Sequence, residues 1–458
     1  MYTTKEAAEI LGVSTRRVNA LIQSGDLHAQ KFGRAWMVDD RAVRNRMKQS
    51  HPAGRPKLGE KDPRNLVELT LMNRNHAVID FVYSRRTHTV GDVSPREGIA
   101  WRPLGIGMLG RTPNRYDVEA WLKARAIPDL RPNLASVLRA LGLTGASDLM
   151  LESWGLNLSD QYWLKPADAQ VNWHDINFFE NGYEETLGPT LLAGAPIERI
   201  SHSPDAATSG MLAKTWVRRN GTDYLIKAGI GNENREPYCE VLATRLLTRL
   251  LNEGEYVPYH LESSNGRTYS ACPCMVDAET ELIPAADVLV AFGVTEGRDL
   301  YQGYRSALDE LGVTDGVRMM SKMIVADYLM ANFDRHTHNF GLIRHAERLD
   351  GYRVAPLFDN GCGFYSRATT AELAQGRYLW ESHPFRPYPS QQLALVEDIS
   401  WYDPACLDGF LEEIAEVFGG NPALDAEFIA AAQRQTAKQI ETVNDLARER
   451  RAFFPAGR

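Results

Sequence analysis

Apolar residues in the first fifty positions recur at helical spacing in two short stretches, each bounded by a capping residue and a glycine. Thr3 and Glu6, three residues apart, form a capping box ahead of the first stretch, which Gly12 ends. Ser14 caps the second stretch and Gly25 stops it. The pattern therefore predicts two short helices joined at a glycine, which is the arrangement of a helix-turn-helix.

A hairpin and a further short helix are predicted directly after these two helices. Residues 27–32 and 35–38 flank Gly33-Arg34, and Asp40 then caps the last helix. A hairpin in this place is the wing of a winged helix-turn-helix. Residues 1–50 are therefore predicted to form one compact winged helix-turn-helix domain.

The next two segments differ in composition from residues 1–50, which are called the head below. Residues 51–64 are rich in proline, glycine and charge, and they are predicted to be a linker. Residues 65–195 are predicted to form an accessory α+β domain that packs against the next domain and shows no catalytic constellation. Its predicted strands and helices are Leu66–Asn73, Ala77–Tyr83, Tyr116–Ala126 and Leu134–Leu141.

Three polar residues in the C-terminal part follow the order of a kinase catalytic centre. An apolar helix predicted at Met323–Ala331 runs into a loop in which Asp334 and Asn339 are five residues apart. In a kinase catalytic loop with this spacing, the Asp orients the attacking hydroxyl and the Asn holds a metal ion. Two short predicted strands then lead to Asp359, within Phe-Asp-Asn-Gly, where a second magnesium ligand is expected.

The spacing alone is a weak signal, because an Asn/Asp-rich loop that caps helices gives it too. The helix before it, the hairpin after it and the Phe-Asp-Asn-Gly sequence make the pattern more specific. Phosphoryl transfer depends on positioning and charge neutralisation, and magnesium takes oxygen ligands of this kind. The sequence therefore predicts Asp334, Asn339 and Asp359 as catalytic residues of an ATP- and magnesium-dependent phosphotransferase.

The residues that hold ATP are predicted upstream of this centre. A small polar turn carries Thr208, Ser209 and Gly210, whose backbone N–H groups and hydroxyls would cover phosphates, and the turn ends near Lys214. Lys227 ends an apolar strand, where a kinase keeps the lysine that contacts the phosphates. A purely structural lysine at this position is the alternative.

The acidic partner of Lys227 is expected on the helix that follows. Glu236 and Glu240 both qualify, one at the helix start and the other one turn later, and the sequence does not separate them. A later strand leads to a hinge near Cys274 and Met275, which complete the predicted ATP-binding residues.

Charge is distributed unevenly along the chain. Residues 1–57 hold 11 Lys/Arg against 5 Asp/Glu, a net charge of +6, and since the whole chain carries −8 the remainder carries −14. A basic head on an acidic body indicates that only the head meets a polyanion. Residues 1–50 are therefore predicted to bind duplex DNA through side chains that suit base edges and phosphates: Thr15, Arg16, Arg17, Asn19, Lys31 and Arg34. A module that binds protein is the alternative.

Composition also bears on the compartment. No stretch approaches about 18 uninterrupted apolar residues, so no membrane span is expected. The first residues show no basic region followed by an apolar one, so no signal peptide is expected. The five cysteines are scattered and odd in number, which favours reduced thiols in a cytoplasmic protein.

The head resembles the excisionase/MerR-type DNA-binding domain over YTTKEAAEILGVSTRRVNALIQSGDLHAQKFGRAWMVD, where the turn glycine, the basic second helix and the wing arrive in order. The C-terminal part resembles the HipA-like kinase family over roughly residues 196–400. The matching segments are SGMLAK (209–214), YLIK (224–227), the D-x-H-x-x-N run (334–339) and APLFDNG (355–361).

The second resemblance implies a fold related to protein kinases, with Asp334 as catalytic aspartate, Asn339 and Asp359 as magnesium ligands and Lys227 as nucleotide lysine. The family is known for toxin–antitoxin pairs, in which the toxin relies on a separate DNA-binding antitoxin. A DNA-binding domain is fused to the kinase here, so toxicity and the toxins' substrate are not expected to carry over.

The combined prediction is an α+β chain with a winged helix-turn-helix, an accessory region and a two-lobed kinase-like domain at residues 196–458. The expected reaction moves the γ-phosphate of ATP to a hydroxyl, with a protein Ser/Thr favoured by family analogy. A kinase for lipids or small molecules, and a DNA-binding regulator whose kinase fold only senses nucleotide, are the alternatives. The expected cofactors are ATP and Mg²⁺, and the sequence leaves a homodimer open.

Overall fold

The chain separates into two compact units, residues 1–63 and residues 64–458. The structure is a computed structural model, and it describes residues 2–11, 14–23, 27–32, 35–39, 42–43, 65–200, 202–294 and 299–453. It is a mixed helix and sheet protein, in agreement with the predicted α+β class.

The first unit contains the two predicted helices and the predicted hairpin strands. Its elements are β1 (Tyr2–Thr3), α1 (Thr4–Leu11), α2 (Thr15–Gln23), β2 (Ala29–Phe32) and β3 (Ala35–Val38). The three strands form an antiparallel sheet in the order β1-β3-β2, and β1 was not predicted. The predicted turn glycines Gly12 and Gly25, the wing turn Gly33-Arg34 and the cap Asp40 lie outside the described residues.

Local hydrogen bonds and a small apolar core account for the start of this unit. The Thr3 N–H donates to Glu6 Oε2 at 2.7 Å, and the Glu6 N–H donates to Thr3 Oγ1 at 3.2 Å, so the predicted capping box is confirmed. Ala7 from α1 and Val18 from α2 are fully buried, and they pack with Val38 of β3. The apolar face of each helix is therefore used for packing within the unit.

The second unit begins with a four-stranded antiparallel sheet in the order β6-β5-β4-β7, covered by helices. Two predicted strands and two predicted helices are confirmed here within one or two residues. The elements are β4 (Leu66–Asn73), β5 (His76–Ser84), β6 (Thr89–Pro95), α3 (Arg115–Arg125), α4 (Leu134–Leu141), α5 (Ala146–Glu152), β7 (Tyr162–Pro166), α6 (Trp173–Ile176) and α7 (Leu187–Ala193).

The rest of the second unit begins with strands and ends with helices. Its sheets have the orders β10-β11-β9-β8 and β12-β13-β14, with antiparallel neighbours. The elements are β8 (Lys214–Arg219), β9 (Thr222–Ala228), α8 (Glu236–Leu250), β10 (His260–Ser264), β11 (Arg267–Pro273), β12 (Thr280–Pro284), α9 (Ala285–Ala291), α10 (Leu300–Glu310), α11 (Gly316–Met330), β13 (Gly341–His345), β14 (Arg353–Val354), α12 (Thr370–Ala374), α13 (Pro389–Leu393), α14 (Phe410–Gly419) and α15 (Ala426–Phe453).

The helix α11 is apolar on nearly every side and lies in the largest core of the chain. A helix with that composition is stable only when other elements surround it, and α15 is one of the helices in contact with it. The side chain of Gln439 on α15 donates to the Tyr328 carbonyl of α11 at 2.9 Å, and the Tyr365 hydroxyl donates to Gln439 Oε1 at 2.5 Å. The last helix therefore holds the segment that follows Asp359.

Residues on the two sides of the predicted boundary at 195/196 share cores and hydrogen bonds. Trp163 and Phe178 are buried in the same cluster as Trp216 of β8. The Arg344 guanidinium, buried on β13, donates to Glu281 Oε1 at 2.7 Å and to the Tyr162 hydroxyl at 3.1 Å. The boundary therefore lies inside one compact unit, and an independent domain at 65–195 stays a prediction.

Within the described residues, no single helix has both the length and the hydropathy needed to cross a membrane. The pair α4 and α5, bent by 62°, passes the same test of length and composition only when the two helices are taken together.

Candidate active site

Lys227 lies at the centre of a buried cluster of charges. It faces Lys214 across the β8–β9 pair, so the two side chains leave the sheet on the same face. The Lys227 ammonium donates to Glu240 Oε1 and, at 2.5 Å, to Asp359 Oδ1. Burial opposes the charge on Lys227, but the two carboxylates raise its pKa well above the ordinary value. The lysine is therefore held as a cation between two anions.

The helix α8 supplies one of these anions, Glu240, whereas Glu236, the other predicted partner of Lys227, bonds elsewhere. Glu240 lies one turn after Glu236, and its second oxygen accepts the Asn360 N–H at 2.9 Å. Glu236 Oε2 accepts the Ile230 N–H at 3.0 Å and closes the turn that follows β9. Of the two glutamates that the sequence leaves open, Glu240 is thus the one paired with Lys227.

Asp359 is held in an unusual backbone conformation. Its φ is 57°, a left-handed value that costs energy in a non-glycine residue and persists only when the surroundings enforce it. Its N–H donates to the Tyr259 hydroxyl at 3.2 Å. Burial would raise the pKa of the carboxyl, but the charges of Lys227 and Lys214 lower it below the ordinary value. The group is therefore a carboxylate across the neutral range.

The loop that carries Asp334 follows directly on α11. Its shape is fixed by side chains that bond to its backbone: Asn332 Oδ1 accepts the Asp334 N–H at 3.1 Å, and Asn339 Nδ2 donates to the Asp334 carbonyl at 2.8 Å. The Cys362 thiol donates to Asp334 Oδ2 at 3.6 Å. The Asp334 carboxylate remains partly exposed, as a group that meets a substrate must be.

Arg335 joins this loop to the Asp359 segment, and the sequence reasoning missed it. Its side chain is completely buried and pairs with Asp327 of α11. It also donates to the Asn339 carbonyl at 2.8 Å, to the Phe358 carbonyl at 2.7 Å and to Asn360 Oδ1 at 2.5 Å. A buried guanidinium needs partners for its five donors, and these partners come from both halves of the site. An arginine directly after Asp334 in the predicted loop was the available signal.

The turn predicted to cover phosphates differs in detail from the expectation. The Thr208 hydroxyl donates to the Pro204 carbonyl at 2.7 Å and accepts the Trp216 indole N–H at 3.1 Å. Ser209 is exposed, and Gly210 has a φ of 93°. Of the two hydroxyls predicted to contact phosphates, that of Ser209 is therefore the accessible one.

Lys214 differs sharply from Lys227 although the two are paired in the strand register. Its side chain is buried, and within the described part of the chain its ammonium has no hydrogen bond or ion pair. A Cβ built on Gly210 would overlap this ammonium, so only glycine allows the lysine to lie against the turn. Burial lowers the pKa of Lys214 to about 7.

The two predicted hinge residues, Cys274 and Met275, have different surroundings. The Cys274 N–H donates to the Asp223 carbonyl at 2.8 Å, and its thiol donates to the Leu158 carbonyl at 3.3 Å. Met275 packs against the small buried cluster of Val257, Tyr259 and Cys272. Both donors of Cys274 are therefore engaged within the protein, and a hinge for the nucleotide near Cys274 and Met275 stays a prediction.

Asn339 and Asp359 offer oxygen ligands that suit magnesium. Among the described residues, Asn339 Oδ1 and Asp359 Oδ2 have no hydrogen-bond partner, because Asn339 bonds through Nδ2 and Asp359 through Oδ1. One carboxylate and one amide oxygen are enough for an ion that keeps waters and takes substrate phosphates as further ligands. No group of three or more His, Cys, Asp or Glu able to hold a metal is present in the described part of the chain.

The first unit exposes a set of polar side chains on α2. Thr15, Arg16 and Asn19 are exposed there, whereas Val18 is buried. Lys31 is exposed on β2, with its ammonium 5.7 Å from the centre of the Trp36 ring. The side chain of Arg17 and all of Arg34 lie outside the described residues.

Comparison with known proteins identifies a helix-turn-helix domain in the head and finds similarity to a kinase over part of the chain. Residues 1–50 match the family model of a helix-turn-helix domain, so the chain begins with such a domain. The serine/threonine-protein kinase CtkA of Helicobacter pylori strain J99 is 48% identical over 100 aligned residues, in an alignment that covers 19% of this chain. The chain spans only 30% of the length of that curated relative.

The crystal structure of the proinflammatory kinase CtkA of Helicobacter pylori is also similar to this chain. The similarity covers 52% of this chain and 94% of the other, with a TM-score of 0.41 and 16% sequence identity.

Proposed function

We propose that residues 196–458 form a two-lobed, HipA-like serine/threonine kinase that uses ATP and magnesium. The observation that carries the proposal is the pairing of the buried Lys227 with Glu240 and Asp359, tied through Arg335 to the loop of Asp334 and Asn339. A lysine between a helix glutamate and a metal-binding aspartate is the arrangement that a kinase needs before transfer. The local identity to a protein named a serine/threonine kinase supports the same reading.

Each residue has a role in the proposed reaction. The oxygen of the acceptor hydroxyl bonds to the γ-phosphorus of ATP as the bond from that phosphorus to the ADP oxygen breaks. Asp334 orients the hydroxyl and accepts its proton, and Lys227 binds phosphate oxygens of ATP. Asn339 Oδ1 and Asp359 would hold magnesium, which supplies positive charge to the phosphates.

The helix-turn-helix head is proposed to bind duplex DNA through α2. The exposed Arg16, Thr15 and Asn19 offer hydrogen bonds to phosphates and base edges, and the net charge of the first 57 residues is +6. The proposed protein is therefore a kinase that carries its own DNA-binding domain.

Incubation with labelled ATP, magnesium and a cell lysate tests the kinase proposal. We expect label in protein, released as phosphoserine or phosphothreonine on hydrolysis, from the wild type and from the control Asp350→Ala, which changes an exposed turn residue. Asp334→Ala should give little label above that of lysate incubated without the protein. Label in lipid or in a small molecule would show that the acceptor is not a protein. Absence of label with intact ATP binding would show that the kinase fold only senses nucleotide.

A further inference from the structure

Arg131 reaches from the accessory region into the turn that is proposed to cover phosphates. It lies between α3 and α4, and only 2% of it is exposed. Its Nη2 donates to the Thr208 carbonyl at 2.5 Å and to the Gly210 carbonyl at 2.5 Å, and its Nε donates to the Gly210 carbonyl at 2.9 Å. Two carbonyls of the turn are therefore fixed by a side chain nearly eighty residues upstream in the chain.

These bonds decide which backbone groups of the turn remain available. The carbonyls of Thr208 and Gly210 point to Arg131, whereas the N–H groups of residues 209 to 212 make no hydrogen bond within the described part of the chain. Successive N–H groups in a turn bind anions when they point into one concave side. The unpartnered Lys214 ammonium lies against the same turn, at Gly210.

Arg131 itself has no ion pair among the described residues. Its bonds go to neutral carbonyls, and no carboxylate lies within ion-pair distance of it among the described residues. Its Nη1 is buried without a partner. Burial lowers the pKa of Arg131 to about 10, so the group is charged at neutral pH. The charge of Asp205 opposes this shift from beyond ion-pair distance. A buried charge without a direct ion pair is costly, and groups with perturbed pKa values cluster at functional sites.

Asp205 fixes the other end of the turn. It is buried, and it accepts the Trp216 N–H at 2.8 Å and the Thr215 hydroxyl at 3.0 Å. The start of the turn is thus tied to β8 and its middle to Arg131. The turn has little freedom of its own, and the accessory region sets its conformation.

We propose that Arg131 is a positioning residue of the nucleotide site. It holds the turn so that the free N–H groups and Lys214 face the polyphosphate of a nucleoside triphosphate. Its charge, which has no ion pair, adds to their attraction for that polyphosphate. The inference rests on the proposed kinase function. It makes residues 65–195 part of the nucleotide site.

Binding of ATP and of adenosine to Arg131→Met tests this directly in the full-length chain. Adenosine has no phosphate, so its affinity should equal that of the wild type, whereas ATP affinity should fall about tenfold or more because charge-assisted contacts are lost. Arg131→Lys keeps the charge but cannot bond both carbonyls in the same way, so its ATP affinity should lie between those of the wild type and Arg131→Met. Arg139→Met, an exposed arginine on α4, is the matched control and should bind both ligands normally.

The role of the turn gives a second readout. Arg131→Met and Lys214→Met act on the same ligand group through the same turn, so their effects on ATP affinity should not add. If Arg131→Met does not fold, the comparison of ATP with adenosine in Arg131→Lys decides the question.

Two outcomes would overturn the proposal. Equal losses for ATP and adenosine would show that Arg131 only supports the fold, and unchanged ATP affinity would show that the turn does not need it. A wild type that binds neither ligand would instead refute the proposed kinase function, so the two failures are distinguishable.

Discussion

At the scale of single residues, the two paired lysines show how one strand register gives two electrostatic situations. Lys227 has Glu240 and Asp359 as partners, whereas Lys214 has no ion pair in the described part of the chain. The pKa of Lys227 is raised, and that of Lys214 is lowered to about 7 by burial. Four charged groups also act on the pKa of Lys214: Asp359 and Glu240 raise it, and Arg131 and Lys227 lower it.

The first prediction concerns proton uptake. Near pH 8 Lys214 is largely neutral in the free protein, since its pKa is about 7, and the phosphates of ATP favour its charged form. ATP binding should therefore take up a proton above about pH 7 and weaken as pH rises further. Calorimetry in buffers of different ionisation enthalpy measures the uptake. The same uptake in Lys214→Met would contradict the assignment.

The second prediction concerns stability at the same residue. The folded-state pKa of Lys214 lies below the unfolded value, so the unfolded chain binds more protons between the two values. The cost of burying Lys214 is then full below about pH 7 and disappears as pH rises towards about 10. Lys214→Met should raise the midpoint of thermal unfolding at pH 6, with a smaller gain at pH 10. An equal gain at both values would refute the mechanism.

The third prediction separates binding from transfer. Asp334→Ala should leave ATP affinity unchanged and lower the transfer rate by a factor on the order of 10² to 10⁴, because a positioned base is lost. Asp359→Ala should instead weaken the nucleotide binding that depends on magnesium. Rate and affinity measured on both variants give the comparison, and wild-type transfer in either one would show that the centre lies elsewhere.

At the scale of elements, α8 presents two glutamates one turn apart to different partners. Glu240→Gln removes a carboxylate from a buried lysine that keeps Asp359, and we expect a stability loss of about 1–3 kcal/mol together with slower transfer. Glu236→Gln is the matched control, since an amide oxygen can still accept the Ile230 N–H. Denaturant unfolding and transfer assays on both variants test this fourth prediction. A larger loss from Glu236→Gln would mean that the pairing is reversed in solution.

Elements with local signals were predictable from the sequence, and those that depend on distant partners were not. The capping box of Thr3 and Glu6 and the strand that carries Lys227 follow from neighbouring residues. The structure confirms both, although the strand runs one residue further, to Ala228. The pairing of β1 with β3, the hub at Arg335 and the reach of Arg131 to the turn depend on chain folding over long distances. No periodicity in the sequence reports such contacts.

At the scale of the whole molecule, the two compact units predict separable activities. A fragment of residues 1–63 should bind duplex DNA, with an affinity that falls steeply with salt because counterions are released. Arg16→Ala should cost about 1–3 kcal/mol if it reads a base, and Lys5→Ala, on the exposed side of α1, is the control.

The same division applies to the second unit. A fragment of residues 64–458 should retain ATP-dependent transfer, because each residue proposed for catalysis lies within it. Loss of transfer in a folded fragment would assign the head to the kinase centre. If neither the head nor the full chain binds DNA at low salt, the head is a protein-binding module.

The long helix α15 has a consequence for the order of synthesis. It anchors Tyr365, six residues after Asp359, and it contacts α11. A ribosome delivers the head first, and domains near the N-terminus fold first during translation. The nascent chain should therefore display a folded helix-turn-helix while Tyr365 still lacks its anchor on α15. Translation itself would then impose a delay between the appearance of the head and the completion of the phosphotransfer centre.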